Sequence, residues 1–116
     1  MGNSSEFLPL REPTFFILLS LADGDKHGYA ILKDVELLSQ GRVQLSTSTL
    51  YEALARLLDQ GLVIGATSPI EANHPGRPRK FYQLTYSGQH LLEAEFARLQ
   101  GLVQAAQRRL GLSGSG

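Results

Sequence analysis

The chain has 116 residues, no cysteine and a formal net charge of zero, with 42% apolar and 19% charged residues. This length favours one domain with a modest core, and the composition is that of a soluble globular protein. The lack of cysteine excludes disulfides and thiolate metal sites. No apolar run approaches the roughly 20 residues that cross a bilayer, so a cytoplasmic protein without a membrane partner is expected.

The charge is unevenly distributed along the chain. Residues 1–60 carry five Lys/Arg and eight Asp/Glu, whereas residues 61–116 carry six and three, so the halves are −3 and +3. Half of the later cations lie at Arg77, Arg79 and Lys80. Such a local patch can bind phosphates even in a neutral chain, and a solvated loop without a partner is the alternative.

The first two predicted helices follow a short N-terminal tail. Residues 1–7 are expected to be disordered or a cloning scar. A buried helix is predicted over residues 13–22, because Pro13 suits a first turn and the segment is apolar nearly all round. A second helix is predicted from Asp25, as N-cap, to Ser39. Its inward face would be Ile31, Val35 and Leu38.

The third predicted helix has hydroxyl residues at its start. It begins within residues 46–49, several of which could cap it; Thr49 and Glu52 also match a capping box, and Gly61 ends the helix. Its buried stripe would be Leu50, Leu54, Leu57 and Leu58. The small polar groups outside this stripe suit phosphates and base edges of a DNA major groove, although an ordinary capped amphipathic helix is the alternative. Glu52 on the same side would be repelled by phosphates but could accept a hydrogen bond from cytosine; service in the capping box alone is the alternative.

A β-hairpin is predicted next, with strands over residues 62–64 and 80–84. Pro75, Gly76 and Pro78 would stiffen the basic tip between them. Alternation suggests that Phe81 and Leu84 face the core side or its rim and that Lys80 and Tyr82 are more exposed. A tip of this kind could grip a duplex beside the third helix.

The last predicted helix runs over residues 85–110, capped by Thr85 or Ser87, and carries an apolar seam at heptad spacing. We expect this seam to pair with the same helix of a second chain, with helix 1 contributing; packing onto its own domain is the alternative. Gly101 lies within this helix, where glycine is unfavourable unless it permits close helix contact. The predicted homodimer interface comprises Phe15, Phe16, Leu92, Phe96, Leu99, Val103, Ala106 and Leu110.

The order of elements predicts a mainly α fold with a small β-hairpin, which is a winged helix-turn-helix followed by a dimerisation helix. We place the winged domain over residues 8–86, the dimerisation helix over residues 87–112 and a flexible tail over residues 113–116. Double-stranded DNA is the expected partner. The predicted DNA-binding residues are Lys26, His27, Tyr29, Ser46, Thr47, Ser48, Thr49, Tyr51, Arg56, Arg77, Arg79 and Lys80.

An enzyme is not expected. His27, His74 and His90 lack a metal-ligand spacing, and nucleotide-binding and nucleophile motifs do not occur. No cofactor or metal is predicted.

Five segments in this order and spacing resemble the PadR family of bacterial transcriptional regulators: residues 18–21, 27–31, 48–54, 57–63 and 76–88. The resemblance implies a homodimeric winged helix-turn-helix protein that binds a near-palindromic operator, usually as a repressor, and it favours the short subgroup with one C-terminal helix. Two departures stand out. Glu52 replaces the proline that commonly follows the recognition-helix tyrosine, and the chain has no tryptophan, so a tryptophan-lined drug pocket is not implied.

Two other functions remain open from the sequence. One is a winged-helix module for protein–protein contact, favoured by the neutral net charge. The other is a sensor that binds a small-molecule effector at the dimer interface through Phe15, Phe16 and Phe96. The operator, the regulated genes and the direction of regulation are not encoded in any of these patterns.

Overall fold

A computed structural model of the chain describes residues 7–67 and 80–112. The elements in chain order are α1 (Glu12–Ser20), β1 (Lys26–His27), α2 (Gly28–Leu38), α3 (Thr47–Asp59), β2 (Val63–Thr67), β3 (Lys80–Leu84) and α4 (Tyr86–Leu110). Within these residues no helix is long and apolar enough to cross a membrane.

Helix α1 lies in the centre of the protein. It starts one residue before the predicted Pro13 and ends two residues before the predicted position 22. Ile17 and Leu18 are completely buried, which agrees with its apolar sequence. Helix α1 packs against α2 and α4.

The start of helix α2 differs from the prediction. The N-cap is His27, whose Nδ1 accepts a hydrogen bond from the N–H of Ala30 at 3.3 Å, so the assignment of Asp25 as cap is wrong. Lys26 and His27 instead form strand β1. Leu38, predicted to face inward, is 40% exposed because the buried face of α2 follows Ile31, Val35 and Ser39, and Leu38 lies beside that line.

Helix α3 begins as predicted within the hydroxyl cluster, and its cap is Ser46, one of the candidate residues. The Oγ of Ser46 accepts from the N–H of Thr49 at 3.1 Å, so the Thr49–Glu52 capping box is not formed. The predicted stripe is buried apart from Leu58, which is half-buried. Gly61 follows the helix at φ +74°, a conformation that favours glycine.

The sheet has three strands in the order β1-β3-β2, where the prediction had two. Strand β3 has the predicted bounds and pairs antiparallel with both neighbours; Tyr82 lies opposite Lys26 on one side and Gly65 on the other. The predicted facing of Tyr82 is wrong, since it is 5% exposed, while Phe81 and Leu84 are half-buried. Central position in the sheet, with α2 and α3 beside it, accounts for this burial.

Helix α4 is attached to the core by its first half only. Thr85 is its N-cap and also donates through its Oγ1 to the carbonyl of Gly61 at 2.7 Å. A Cβ on Gly88 would lie 2.1 Å from the carbonyl oxygen of Leu62, so glycine permits this close contact. The predicted division between residues 86 and 87 thus falls in the first turn of a helix whose start belongs to the core.

The second half of α4 projects from the domain. The radius of gyration is 16.5 Å, compared with about 13 Å for a compact chain of this length. The helix ends at Gly111, which adopts φ +72°. Among residues 7–67 and 80–112, nothing lies within 4 Å of the Cβ position of Gly101, so the described residues do not make the close contact considered for that glycine.

The segment before α1 is held to α4 by a buried carboxylate. Glu95 is 2% exposed and accepts from the N–H of Leu10 at 3.1 Å. The two carboxylate oxygens also accept hydrogen bonds from the Nε and Nη2 of Arg98, at 2.6 and 2.9 Å. The Arg98 hydrogen bonds, with the Leu10 N–H, hold the pKa of Glu95 below its ordinary value although burial opposes this. The buried carboxylate of Glu95 therefore has hydrogen-bond partners both in the N-terminal segment and on α4.

Candidate nucleic-acid interface

The hydroxyl cluster at the start of α3 is exposed and internally ordered. The Oγ of Ser46 lies 2.8 Å from the Oγ1 of Thr49 and 3.3 Å from the Oγ of Ser48. These residues and Thr47 are all exposed. A helix start also presents free N–H groups and a partial positive charge, which attract phosphate. The structure thus brings these four predicted residues together at one anion-attracting end.

Tyr51 connects α3 to the start of α2. A Cβ on Gly28 would lie 2.2 Å from the Oη of Tyr51 and 2.8 Å from its Cζ. A glycine in the first turn of a helix often indicates that another backbone segment packs closely against it. At Gly28 the group that packs closely is the side chain of Tyr51. Tyr51 keeps 45% of its surface exposed, so its ring is positioned by α2 and remains available outside.

An open groove of about 650 Å³ lies between the start of α2, helix α3 and strand β3. Its walls are mainly aromatic, with hydroxyl groups and one ammonium group at the edge. The Nζ of Lys80 lies 5.6 Å from the ring centroid of Tyr82. The residues that line the groove are His27, Gly28, Tyr29, Tyr51, Lys80 and Tyr82.

Tyr82 is the groove residue that sequence reasoning missed. Burial raises the pKa of its phenol, and the neighbouring Tyr51 adds to this effect. The phenol therefore remains a hydrogen-bond donor at neutral pH. No local pattern identifies Tyr82, because its position depends on pairing with strand β1, which lies more than fifty residues earlier in the chain.

His27 and Tyr29 lie at the α2 side of the groove. The Nδ1 of His27 is used in capping, and its ring contacts that of Phe81 edge-on at a centroid distance of 5.8 Å. Tyr29 is 64% exposed, and the Nζ of Lys33 lies 5.6 Å from its ring centroid. The predicted groups at the start of α2 therefore lie beside the α3 residues.

Lys26 does not join this group. Its Nζ donates to the carbonyl of Ser20 at 2.6 Å and pairs with Asp23 at 2.5 Å and with Asp34 at 3.8 Å. The hydrogen bond from Lys26 also lowers the pKa of Asp23. An ammonium with three internal partners stabilises the α1–β1 connection, so we remove Lys26 from the set of candidate DNA contacts.

The remaining predicted contacts are divided between α3 and the hairpin. Arg56 is exposed on α3 and borders a separate cavity of about 240 Å³ between α3, α4 and the N-terminal segment. Phe15, Phe16 and Phe96, the predicted effector site, do not line this cavity. Arg77 and Arg79 lie outside the described residues.

The predicted dimer residues divide into an exposed and an inner set. Phe96, Val103 and Leu110 are 60, 54 and 70% exposed, and Ala106 is also exposed. Leu92 is buried in the core of its own chain. Leu99 and the two phenylalanines of α1 are half-buried, and the latter touch edge-on at a centroid distance of 5.7 Å. The uncovered apolar stripe on α4 therefore starts at Phe96.

A three-helix domain with a small antiparallel sheet and an exposed third helix defines a winged helix-turn-helix protein. The amino-acid sequence matches the transcriptional regulator PadR-like family over residues 17–94, which is more than half of the chain. The chain therefore belongs to this family, and the predicted fold class is confirmed.

Solved structures resemble this one over most of its length. A PadR family transcription regulator from Clostridium difficile R20291 has 27% sequence identity and a TM-score of 0.68, over 84% of this chain and 96% of that chain. Bacillus subtilis PadR in complex with operator DNA has 26% identity and a TM-score of 0.63, over 72% of this chain and 46% of that chain.

A curated relative is more similar in sequence but much longer. An uncharacterized 37.1 kDa protein in transposon TN4556 of Streptomyces fradiae is 46% identical over 90 residues, which are 75% of this chain. The chain spans 24% of the length of that relative.

Proposed function

We propose that this protein is a sequence-specific DNA-binding transcriptional regulator that acts as a homodimer, most simply as a repressor on a near-palindromic operator. The observation that carries the proposal is the division of α3 into two faces. Leu50, Leu54 and Leu57 are buried, while the hydroxyl-rich start and outer face are open to a partner. A helix held in this way can enter a major groove while all of its contacts with the core stay intact.

The residues around α3 would have distinct roles in a complex with DNA. Ser48, Thr47 and Tyr51 would contact base edges and nearby phosphates, and the free N–H groups at the helix start would bind a phosphate. The aromatic groove beside them would hold the sugar–phosphate backbone through the hydroxyls of Tyr29 and Tyr82. Arg56, Lys80 and the hairpin cations Arg77 and Arg79 would bind the flanking phosphates.

The homodimer is supported by the apolar stripe on α4. Phe96, Val103 and Leu110 leave a large apolar area in water, and burying it would contribute about 25 cal/mol per Å². The same pairing would place two α3 helices on one duplex. Two identical α3 helices related by a two-fold axis would require an operator that is an inverted repeat.

The relatives support the same activity. Bacillus subtilis PadR is described in complex with operator DNA, and the likeness to that protein covers 72% of this chain. We extend operator binding from that protein to this one because the fold is shared, with a TM-score of 0.63.

The direct test is selection of duplexes from a random library with the purified protein, followed by binding titrations. The proposal predicts enrichment of an inverted repeat, with at least tenfold weaker binding by a Ser48→Ala/Tyr51→Ala variant. Gln89→Ala/Gln104→Ala on α4 is the matched control and should bind as the wild type does. Failure to enrich any duplex, together with capture of a protein partner from nuclease-treated lysate, would favour the protein–protein module instead.

A further inference from the structure

Glu52 lies on the side of α3 that is opposite the buried stripe. It is midway in sequence between Leu50 and Leu54, which are both buried, so at 3.6 residues per turn it points about 180° away from their common direction. Ser48 and Ala55, about one turn before and after it, are exposed on the same side. If α3 enters a groove with its outer face, Glu52 reaches the floor of that groove.

The structure removes the alternative explanation for this glutamate. Ser46 caps α3, so the third helical residue, from which a reciprocal glutamate would act, is Thr49. Glu52 therefore takes no part in capping. Among residues 7–67 and 80–112, no ion pair within 4 Å and no side-chain hydrogen bond involves Glu52. Its carboxylate is presented outward without a described structural role.

A carboxylate in a major groove tolerates few bases. It accepts hydrogen bonds and cannot donate them, and the surrounding phosphates repel it. Guanine and thymine present acceptors at that edge, and adenine places an acceptor, N7, beside its amino group. Cytosine presents its N4 amino group without a neighbouring acceptor on the same base, so cytosine is the base that a glutamate fits.

We propose that Glu52 is a specificity-determining residue that requires cytosine at one position of each operator half-site, where its carboxylate accepts from the N4 amino group. This inference rests on the proposed function, since it needs α3 in the major groove. Glu52 acts mostly by exclusion, because the same charge weakens binding to every duplex that has another base at that position.

The test compares base preferences of three proteins by random-duplex selection and competition binding: the wild type, Glu52→Gln and Glu52→Ala. We expect the wild type to prefer cytosine about tenfold or more at one position per half-site. Glu52→Gln should move that preference to adenine, whose N6 and N7 match an amide. Glu52→Ala should abolish the preference there and strengthen binding to non-cognate duplexes.

Asp59→Asn is the matched control, since Asp59 is an exposed carboxylate on the same side of α3, at its last residue. This variant should keep the wild-type preference at every position. All variants should melt within a few degrees of the wild type, because the substituted groups are exposed.

Two outcomes separate this inference from the proposed function. Enrichment of an inverted repeat with the same base preferences for the wild type and Glu52→Ala would overturn the role of Glu52 and leave operator binding standing. A uniform change in affinity at all sequences would overturn it equally. Failure of the wild type to enrich any duplex would overturn both proposals.

Discussion

Gly28 illustrates how one small residue sets the geometry of the candidate interface. The missing side chain makes room for the phenol of Tyr51, whose Oη would otherwise be only 2.2 Å from a Cβ. This places a phenol from α3 against the start of α2 while nearly half of its surface stays accessible. The relative position of the two helices therefore depends on a contact between one glycine and one aromatic ring.

We predict that Gly28→Ala destabilises the protein by about 1 kcal/mol, the low end of the range for overpacking, because the new methyl group collides with the outer end of Tyr51, which is 45% exposed and can shift. In a Tyr51→Ala background the same change should be neutral or slightly stabilising, since the collision is gone. Urea unfolding of the four proteins in this cycle measures the coupling. Equal effects of Gly28→Ala in both backgrounds would show that the contact does not constrain the glycine.

Glu95 makes stability depend on pH at the acidic end. Its pKa is lowered in the folded chain, so the stabilisation from its bonds with Arg98 and Leu10 is present above the ordinary glutamate pKa of about 4.3 and is lost as the pH falls through the lowered folded value. We predict that Glu95→Gln costs about 1–3 kcal/mol at pH 7 and much less near pH 3.

Unfolding of the wild type and Glu95→Gln across this pH range checks the prediction. Glu93→Gln, at an exposed position two residues earlier on α4, is the matched control and should change stability little at any pH. A Glu95→Gln penalty that stays constant from pH 7 to pH 3 would mean that the carboxylate charge does not contribute.

At the scale of elements, the sequence predicts the helices well and the sheet poorly. Helices α3 and α4 are located by signals within one turn, namely the hydroxyl caps at their starts and leucines at helical spacing. Strand β1 has two residues and forms only by pairing with β3 far along the chain, so nothing local identifies it. The missed cap at His27 and the misjudged burial of Tyr82 follow from that strand.

The candidate site is likewise predictable from the sequence only where local patterns determine it. Residue type and spacing are enough to find the hydroxyl cluster and the groove residues of α2. The exclusion of Lys26 was not predictable, because its three partners lie on α1, α2 and the turn that follows α1. For Glu52 the sequence left two roles open, a contact with cytosine and a place in a capping box, and the capping role is excluded because Ser46 caps α3.

The projecting half of α4 is the element that we expect to hold two chains together. We predict that Val103→Glu converts the dimer to a monomer at micromolar concentration, because pairing would bury an unmatched carboxylate. Gln104→Glu adds the same charge one residue further along, where it turns away from the stripe, and should remain dimeric. Sedimentation equilibrium distinguishes them, and a Val103→Glu protein that is still dimeric would place the interface elsewhere.

The hairpin should contribute affinity without sequence preference. We predict that Arg77→Ala/Arg79→Ala weakens binding to all duplexes and reduces the slope of log affinity against log salt by about 0.9 for each phosphate that the variant no longer binds. Arg108→Ala/Arg109→Ala removes two charges from the last turn of α4 and should leave the slope unchanged. An unchanged slope in the hairpin variant would mean that these arginines do not bind phosphates.

At the scale of the whole molecule, a net charge of zero is compatible with DNA binding by a local surface. The acidic first half limits indiscriminate attraction to polyanions, while the groove and the start of α3 gather polar groups that suit a duplex. Pairing through α4 would double this surface and fix the distance between the two copies of α3. The proposed activity thus belongs to the dimer.

The measurement that tests this account most directly is the composition and footprint of the complex with a selected duplex. We predict two chains per duplex by sedimentation, and two protected major-groove patches whose centres are about 10 base pairs, or a multiple of that, apart. One chain per duplex with a single protected patch would contradict the account.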